Sequence, residues 1–469
     1  MKTYQELEAV KDNESDLMQF IWEAINEYKA SDLYKNAVIA KEYDEHRNVT
    51  ITKFQKMLYT ITGAQVPDRW GADYKLASNF FHRFIVQENQ FLLGNGCTWS
   101  DESTEEKLGY DFDAKLKDAG HLALADGVSY GFYDYNKMVV FDALEFAPLN
   151  DEDDGSMKAG IRFWQIDAKK PMHAVLYEID GYTEYVSING KSELLYEKKP
   201  YKTTRIGDRV DMQSGTVLYK GENYPTFPIV PLWANQAHQS ELVGIREQID
   251  CYDLIKSGYA NNVDEASYIY WALKNAGGMD DDMSLVKFIE RMKTVHAANI
   301  EGDGATAEAH TIEAPVEARE KLLDRLSRDL YDDFMSFDTK EIADGAVTAT
   351  QIKAAYEPLN SKVDDYEYQV KEFVKDILAV AGIDDEPTFT RSKVVNVQEE
   401  VNTILASAQY LPQEYVTKKI LTLLGDGDKT DEIINQMEDE DESRFVNGYA
   451  GGAEPEEAEA AGRENQEEI

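Results

Sequence analysis

The chain is predicted to be α+β, mainly helical with one β-rich stretch, and three observations carry that expectation. Apolar residues recur at helical steps over most of the 469 residues. Short runs rich in aromatic and β-branched residues, separated by turn chemistry, are confined to about 128–232. Helical patterns with a single apolar stripe then return and continue to about residue 425.

Near the N-terminus, 14–30 places Leu17, Phe20, Ile21, Ala24, Ile25 and Tyr28 on one helical face. A second helix is expected to stop at Gly94, a residue suited to a left-handed C-terminal position. From Val128 the period changes to that of strands. Asn189-Gly190 lies between two alternating runs and predicts a hairpin, because a type I′ turn needs positive φ at both central positions. The acidic insert 150–160 reads as a surface loop.

Helical spacing resumes at Leu242, Ile245, Ile249, Tyr252, Ile255, Tyr259 and Val263, with Ser240 as the expected N-cap. A mixed segment runs to Pro315, and then Leu322, Leu323, Leu326, Leu330, Phe334 and Phe337 form a second stripe. Each of these two rods would span roughly 30 to 40 Å. A single stripe cannot build a thick core alone, so the rods are expected to pack on each other or on another subunit. A break at 338–348 holds Thr339, Lys340, Asp344 and Gly345. The next helix, 349–381, is expected to be interrupted at Pro358, where a lost hydrogen bond and a ring clash cost about 3 kcal/mol, and to end before Gly382. More helix follows to Gly425, and beyond Arg444 the tail has too few apolar residues to offset its ordering entropy.

Composition narrows the function classes. The formal charge is −41, of which −13 lies in 426–469, so the body is acidic as well. Such a surface repels phosphates and does not coat nucleic acid as a basic protein does. Cys97 and Cys251 stand in unrelated contexts and suggest neither a disulfide framework nor a metal site. The N-terminal residues carry no signal-peptide apolar region, and no apolar run approaches about 18 residues, so neither secretion nor membrane spanning is expected.

Motifs for chemistry are not found. The sequence lacks a phosphate-binding G-x-x-x-x-G-K-[ST], an H-E-x-x-H and a G-x-S-x-G. His46, His82, His121, His173, His238, His296 and His310 lie far apart in sequence and are read as surface or core residues rather than ligands. The stretch from Asp426 begins like a calcium loop but lacks its glycine and its closing acid. Acid pairs such as Asp111 and Asp113 are expected by composition alone, with 89 Asp and Glu in the chain. No catalytic residue, metal or cofactor is expected.

One long stretch, 227–265, carries a resemblance. It contains Pro228, Ile229, Pro231 and Asn235, then Ser240-Glu241-Leu242, Ile249-Asp250, Tyr252-Asp253, Ser257 and Ala260-Asn261. With the segments 77–96 and 159–167, it resembles the portal proteins of long-tailed double-stranded DNA bacteriophages of Gram-positive bacteria, the SPP1-like portal family. The resemblance runs from about 15 to 425.

What the resemblance implies is a portal fold. It would comprise a wing over 1–235, a first stem helix over 236–264, a clip over 265–316 and a second stem helix over 317–337. A tunnel loop over 338–348, a kinked helix over 349–382 returning to the wing and a helical crown over 383–446 would follow. The acidic tail over 447–469, expected to be flexible, departs from the family, and the resemblance carries over no role for it. It further implies a homo-oligomeric ring of twelve at one capsid vertex, with double-stranded DNA passing through during packaging and ejection. The implied partners are the terminase large subunit, a head-tail connector or adaptor, and the major capsid and scaffolding proteins. The implied location is the virion, after assembly in the host cytoplasm, with no membrane and no enzymatic role.

In that mapping Asp338, Thr339, Lys340, Glu341, Asp344 and Gly345 would face the DNA. Lys340 would touch phosphate transiently while the acids keep the ring negative; a solvated lysine in an exposed loop is the other reading. Pro358 would redirect the outgoing helix. Leu242, Ile245, Ile249, Tyr252, Leu322, Leu326, Leu330 and Phe334 would lie partly in subunit interfaces. On the residues alone, another capsid or head-tail component and a hydrolase acting through acidic residues stay open.

Overall fold

The computed structural model describes residues 1–59, 63–68, 71–101, 103–135, 137–188, 191–210, 217–266, 270–274, 286–287, 306–310, 316–340, 349–392, 397–425, 430 and 433–437. Glu341, Asp344, Gly345, Asn189, Gly190, most of 267–315 and the acidic tail lie outside that set. The chain divides into two units, Met1–Ala343 with Ala355–Ser392, and Asp344–Ala354 with Lys393–Ile469.

The first unit is built on a five-stranded antiparallel meander whose strands are Phe146–Asn150, Met157–Trp164, Met172–Glu178, Gly181–Ile188 and Lys191–Lys199, adjacent in chain order. The residues flanking the Asn-Gly pair, Ile188 and Lys191, are paired as a tight hairpin requires. Against this sheet lies the helix Glu14–Ala30, whose first turn is held by the Asn13 side chain accepting from the Ser15 N–H. The spacing read from the sequence is the one that folds. Phe20, Ile21, Ala24, Ile25 and Tyr28 are buried with Leu149, Ile161, Phe163, Leu176 and Tyr185, each large side chain contributing about 1.5 to 3 kcal/mol.

A second sheet pairs Val128–Tyr133 with Met138–Asp142 on one side and Ile229–Trp233 on the other. Its Tyr130 and Phe141 meet Phe146 and Tyr177 of the five-stranded sheet in the second core. The helix Phe112–Asp126 leads into this sheet and ends at Gly127, whose φ of +97° only glycine adopts freely. A side chain there would also lie 2.8 Å from the Ser240 nitrogen. Residues 240–241 approach because they cap this helix: the Ser240 hydroxyl donates to the Ala125 carbonyl at 2.5 Å, and the Glu241 N–H to the Leu124 carbonyl at 3.0 Å.

That capping moves the start of the outgoing rod. Ser240 does not open a helix; its hydroxyl accepts from the Leu242 N–H at 3.1 Å in a turn that passes Gly244 at φ +98°. The helix runs Arg246–Ala266. The return helix, Val316–Phe334, packs on it antiparallel, with Gln248 donating to Asp333 near one end and Arg319 to the Gly258 carbonyl at 3.4 Å further along. Between them Tyr270–Lys274 pairs antiparallel with Thr306–His310.

The long helix Ala349–Ala381 passes through Pro358 without interruption, contrary to the expected break. Pro358 sits on the exposed side, while Tyr356, Leu359 and Val363 are buried, so packing on either side outweighs the missing bond. Its end is as expected: Gly382 has φ +70°, and the N–H groups of Gly382 and Ile383 return to the carbonyls of Ala379 and Leu378. Gly94, by contrast, is right-handed at φ −55°, and the positive φ belongs to Gly96 at +76°. The helix Phe80–Leu93 simply gains a further bond, from the Gly94 N–H to the Gln90 carbonyl at 2.8 Å, before it turns.

In the second unit, helices Val397–Ser407 and Gln413–Leu424 are joined by the 3₁₀ turn Ala408–Tyr410, and Gly425 closes the second helix at φ +87°. Val416 is the buried apolar residue of this pair.

Candidate functional site: a pinned loop at the meeting of four elements

The segment 338–348 leaves from a tightly held base. Beyond the last turn of the return helix, Gln87 clamps the backbone of Phe337, donating to its carbonyl at 2.9 Å and accepting from its N–H at 3.0 Å. Gln87 also accepts from the Ser336 hydroxyl. Phe337, 5% exposed, stacks on Tyr356 of the long helix. Tyr356 stacks in turn on Phe91, with ring centroids 5.6 Å apart. The residue that precedes the loop, Phe337, is thereby fixed to the helix Phe80–Leu93 and to Tyr356 of the long helix.

Of the loop residues expected to face DNA, three are described. Asp338 is half-buried and accepts from the Lys340 N–H at 3.1 Å, an Asx turn that starts the excursion. Thr339 and Lys340 are exposed. Glu341, Asp344 and Gly345 fall outside the described residues.

Behind the base, four elements share one ammonium group. Lys362 of the long helix lies 2.7 Å from Glu241, at the root of the outgoing rod, and 3.2 Å from Glu88 of the helix Phe80–Leu93. It also sits 3.0 Å from the ring centroid of Phe334, the last residue of the return helix. Glu88 is buried, and burial pushes its carboxyl up to about 7 despite the nearby lysine, with repulsion from the Glu241 carboxylate adding to the rise. Nearby, the Tyr366 hydroxyl donates to the Asn89 side chain at 2.9 Å, and both crowd the Cα of Gly120, leaving no room for a side chain there.

The residues read as a stem stripe separate into two groups. Leu242, Ile245, Ile249, Leu330 and Phe334 are buried within the chain itself. Tyr252 and Leu326 are half-buried, whereas Leu322 and Val263 are 43% and 49% exposed.

The other face of the outgoing helix carries a polar ladder. Asp253, Ser257 and Asn261, one helical turn apart, are buried and accept from the backbone N–H groups of Ser78, Leu76 and Tyr74 at 2.9, 2.9 and 2.7 Å. The extended segment 74–78 is thus bound through alternate N–H groups, as a strand binds its neighbour. Asn48 completes the cluster, donating to the Ser78 carbonyl at 3.2 Å and to Asp253. Three of the letters that carry the sequence resemblance are therefore a backbone-binding device.

Two groupings were not visible in the sequence. Gln87, Glu88, Tyr356 and Lys362 carry no local motif, and only the tertiary fold brings them together. The histidines scattered through the sequence do not all stay apart: His82 Nδ1 and His121 Nε2 lie 2.7 and 2.9 Å from the two carboxylate oxygens of Asp44. Burial alone would raise the Asp44 carboxyl, but the hydrogen bonds from His121 and His82 outweigh it and hold it below the ordinary carboxylate range.

Residues 29–444 match the family model for phage portal proteins of the SPP1 Gp6-like type, and the chain belongs to that family. It is 23% identical over 423 residues to the portal protein of Clostridium phage phiCD119, covering 83% of this chain and 86% of that one. With the portal protein of Bacillus phage SPP1 the identity is 23% over 388 residues, covering 76% and 74%. Among solved structures, a chain from the virion of a native gene transfer agent particle overlaps at a TM-score of 0.43 with 12% identity, covering 74% of this chain and 90% of that chain. No helix among the described residues is long and apolar enough to cross a membrane.

Proposed function

We propose that copies of this chain close into a ring of twelve at one capsid vertex and that double-stranded DNA crosses the central channel during packaging and ejection. The observation that supports this reading most directly is the pinned loop in a chain of the portal family: Phe337, Tyr356 and Gln87 fix the base of 338–348 while Lys340 stays exposed. A loop that must meet a moving duplex needs a rigid root and a polar tip. In this assignment 1–235 is the wing, 236–264 and 317–337 the stem, 265–316 the clip, 338–348 the tunnel loop, 349–382 the helix returning to the wing, and 383–446 the crown.

The charge of −41 fits a conduit. A wall of lysine and arginine would release counterions from many phosphates and hold the duplex, whereas an acidic wall lets it slide. Lys340 supplies a passing phosphate contact, and Asp338, Glu341 and Asp344 keep the loop ring net negative. Ring closure needs two different faces on each subunit; the exposed Leu322 and half-buried Leu326 supply one of them along the stem. ATP hydrolysis belongs to the terminase large subunit, which docks on the ring together with the head-tail connector.

Negative-stain microscopy of the purified chain tests the reading. Rings with a central hole are the expected result, and a chain that stays solitary at all concentrations would overturn it. A genetic arm is independent of this: capsids assembled without the chain should fail to fill with genome, and normal filling would end the proposal.

A further inference from the structure

Three helices of the first unit bring their side chains to one point at the surface. Asp44 is the last residue of the helix Asp32–Asp44, His82 stands in the first turn of Phe80–Leu93, and His121 lies in Phe112–Asp126. One ligand atom from each, a carboxylate oxygen and two imidazole nitrogens, lies within 4.8 Å of the others. The imidazole rings of His82 and His121 are 5.8 Å apart between centroids, and that of His46 is 6.3 Å from His82. His46 holds a left-handed backbone at φ 61°, just after the helix that supplies Asp44.

We propose that Asp44, His82 and His121 form a binding site for a divalent transition cation of the zinc type. The donor set decides the class. Two imidazoles and a carboxylate suit zinc and its neighbours, whereas magnesium and calcium favour all-oxygen shells. In a tetrahedral zinc site adjacent ligand atoms stand roughly 3.4 Å apart; here the two nitrogens lie 2.7 and 2.9 Å from the Asp44 oxygens and the ligand atoms all lie within 4.8 Å of one another, so small side-chain shifts that open the two hydrogen bonds would seat the ion. The side chains are 18%, 42% and 25% exposed for Asp44, His82 and His121, which gives the ion an entry path and leaves a fourth position for water or His46.

Electrostatics favours a cation at this place. The helix Asp32–Asp44 points its C-terminal, partially negative end at the cluster. Of the basic residues close in sequence, Arg83 lies over the Tyr331 ring at 5.7 Å, Lys41 is paired with Asp142, and Arg47 is paired with Glu42 at 2.7 Å and with Glu45. Bound metal would join three helices that already meet here through the two Asp44–histidine hydrogen bonds, and the helix Phe80–Leu93 among them carries Gln87 and Glu88 behind the loop base.

Equilibrium dialysis of the full-length chain against zinc, with metal content read by mass spectrometry, tests the site. One zinc per chain is expected, with a rise in melting temperature, and cobalt in its place should show the strong visible bands of a four-coordinate ion. His82→Gln and His121→Gln should each weaken binding at least about tenfold. A readout on the unmodified chain avoids reliance on variants that fail to fold: zinc should protect His82 and His121, but not His173, from diethyl pyrocarbonate. Failure of the wild-type chain to retain zinc, parental affinity in both variants, or unprotected His82 and His121 would overturn the assignment.

Discussion

Phe337 and Tyr356 stack nearly face to face, with ring centroids 4.3 Å apart and planes 13° from parallel, one from the end of the return rod and the other from the long helix. The stack closes the base of the intervening loop, and it makes the loop's rigidity testable. Tyr356→Ala removes a buried ring that touches both Phe337 and Phe91, at a cost of about 3 kcal/mol. Limited proteolysis should then cut within 338–348 much faster than in the parent chain. Unchanged cleavage would show that the stack does not hold the loop.

Lys362 and Glu88 give a pH dependence with a definite sign. The buried Glu88 carboxyl is raised from its ordinary 4.5 to about 7, so above the lower value the folded chain holds a proton that the unfolded chain has lost. The group's contribution is fully present below about pH 4.5 and is lost as pH rises through about 7. Lys362 is the charged group paired with it, while Glu241, on the other side of that lysine, and more weakly Asp365 repel its charged form. The stability advantage of the parent chain over Glu88→Gln should shrink between pH 5 and pH 7.5 in denaturant titrations, where these two pH values are about the ends of the window. A constant or growing advantage would contradict the assignment.

The polar ladder predicts unequal costs along one helix face. Ser257→Ala removes one neutral hydrogen bond and should cost about 1 kcal/mol. Asp253→Ala leaves both the Ser78 N–H and the Asn48 amide without their acceptor and should cost about 3 kcal/mol. Hydrogen exchange at the Ser78 amide should accelerate in the second variant and stay near the parent rate in the first.

The stem residues separate folding from assembly. Ile249 is fully buried in its own chain, so Ile249→Asp should destabilise the monomer by more than about 4 kcal/mol. Leu322 is exposed, and Leu322→Asp should leave the melting temperature of the isolated chain within about 2 °C while lowering the yield of rings seen by microscopy. Loss of folding in the Leu322 variant, or rings at full yield, would remove Leu322 from the subunit contact.

The sequence disclosed what depends on local pattern and concealed what depends on distant partners. The helix Glu14–Ala30 and the Ile188–Lys191 pairing were legible because spacing and turn chemistry are local. The start of the outgoing helix was not. Ser240 looked like its N-cap, but the Ala125 and Leu124 carbonyls, more than a hundred residues earlier, claim residues 240–241 as caps for a different helix. Pro358 was misread for a similar reason, since buried neighbours on either side hold the helix through it. Of the candidate site, the start of the long helix at Ala349 was visible as a change in pattern, but Gln87 and the Lys362 cluster were not, because no motif links positions some 250 residues apart. The meeting of His82 and His121 on Asp44 was likewise invisible from spacing alone.

The ladder of Asp253, Ser257 and Asn261 grips main-chain groups, which every residue except proline possesses. The segment it holds can therefore change its outward letters over evolutionary time without losing its seat. Tyr74 and Leu76 stand 51% and 36% exposed, and exchange there should be nearly free, whereas a proline at either position would remove the very group that is gripped. Mutational freedom of the side chain and constraint on the main chain thus coincide at single positions of one short extended segment, and the rule that separates them is written on the helix opposite.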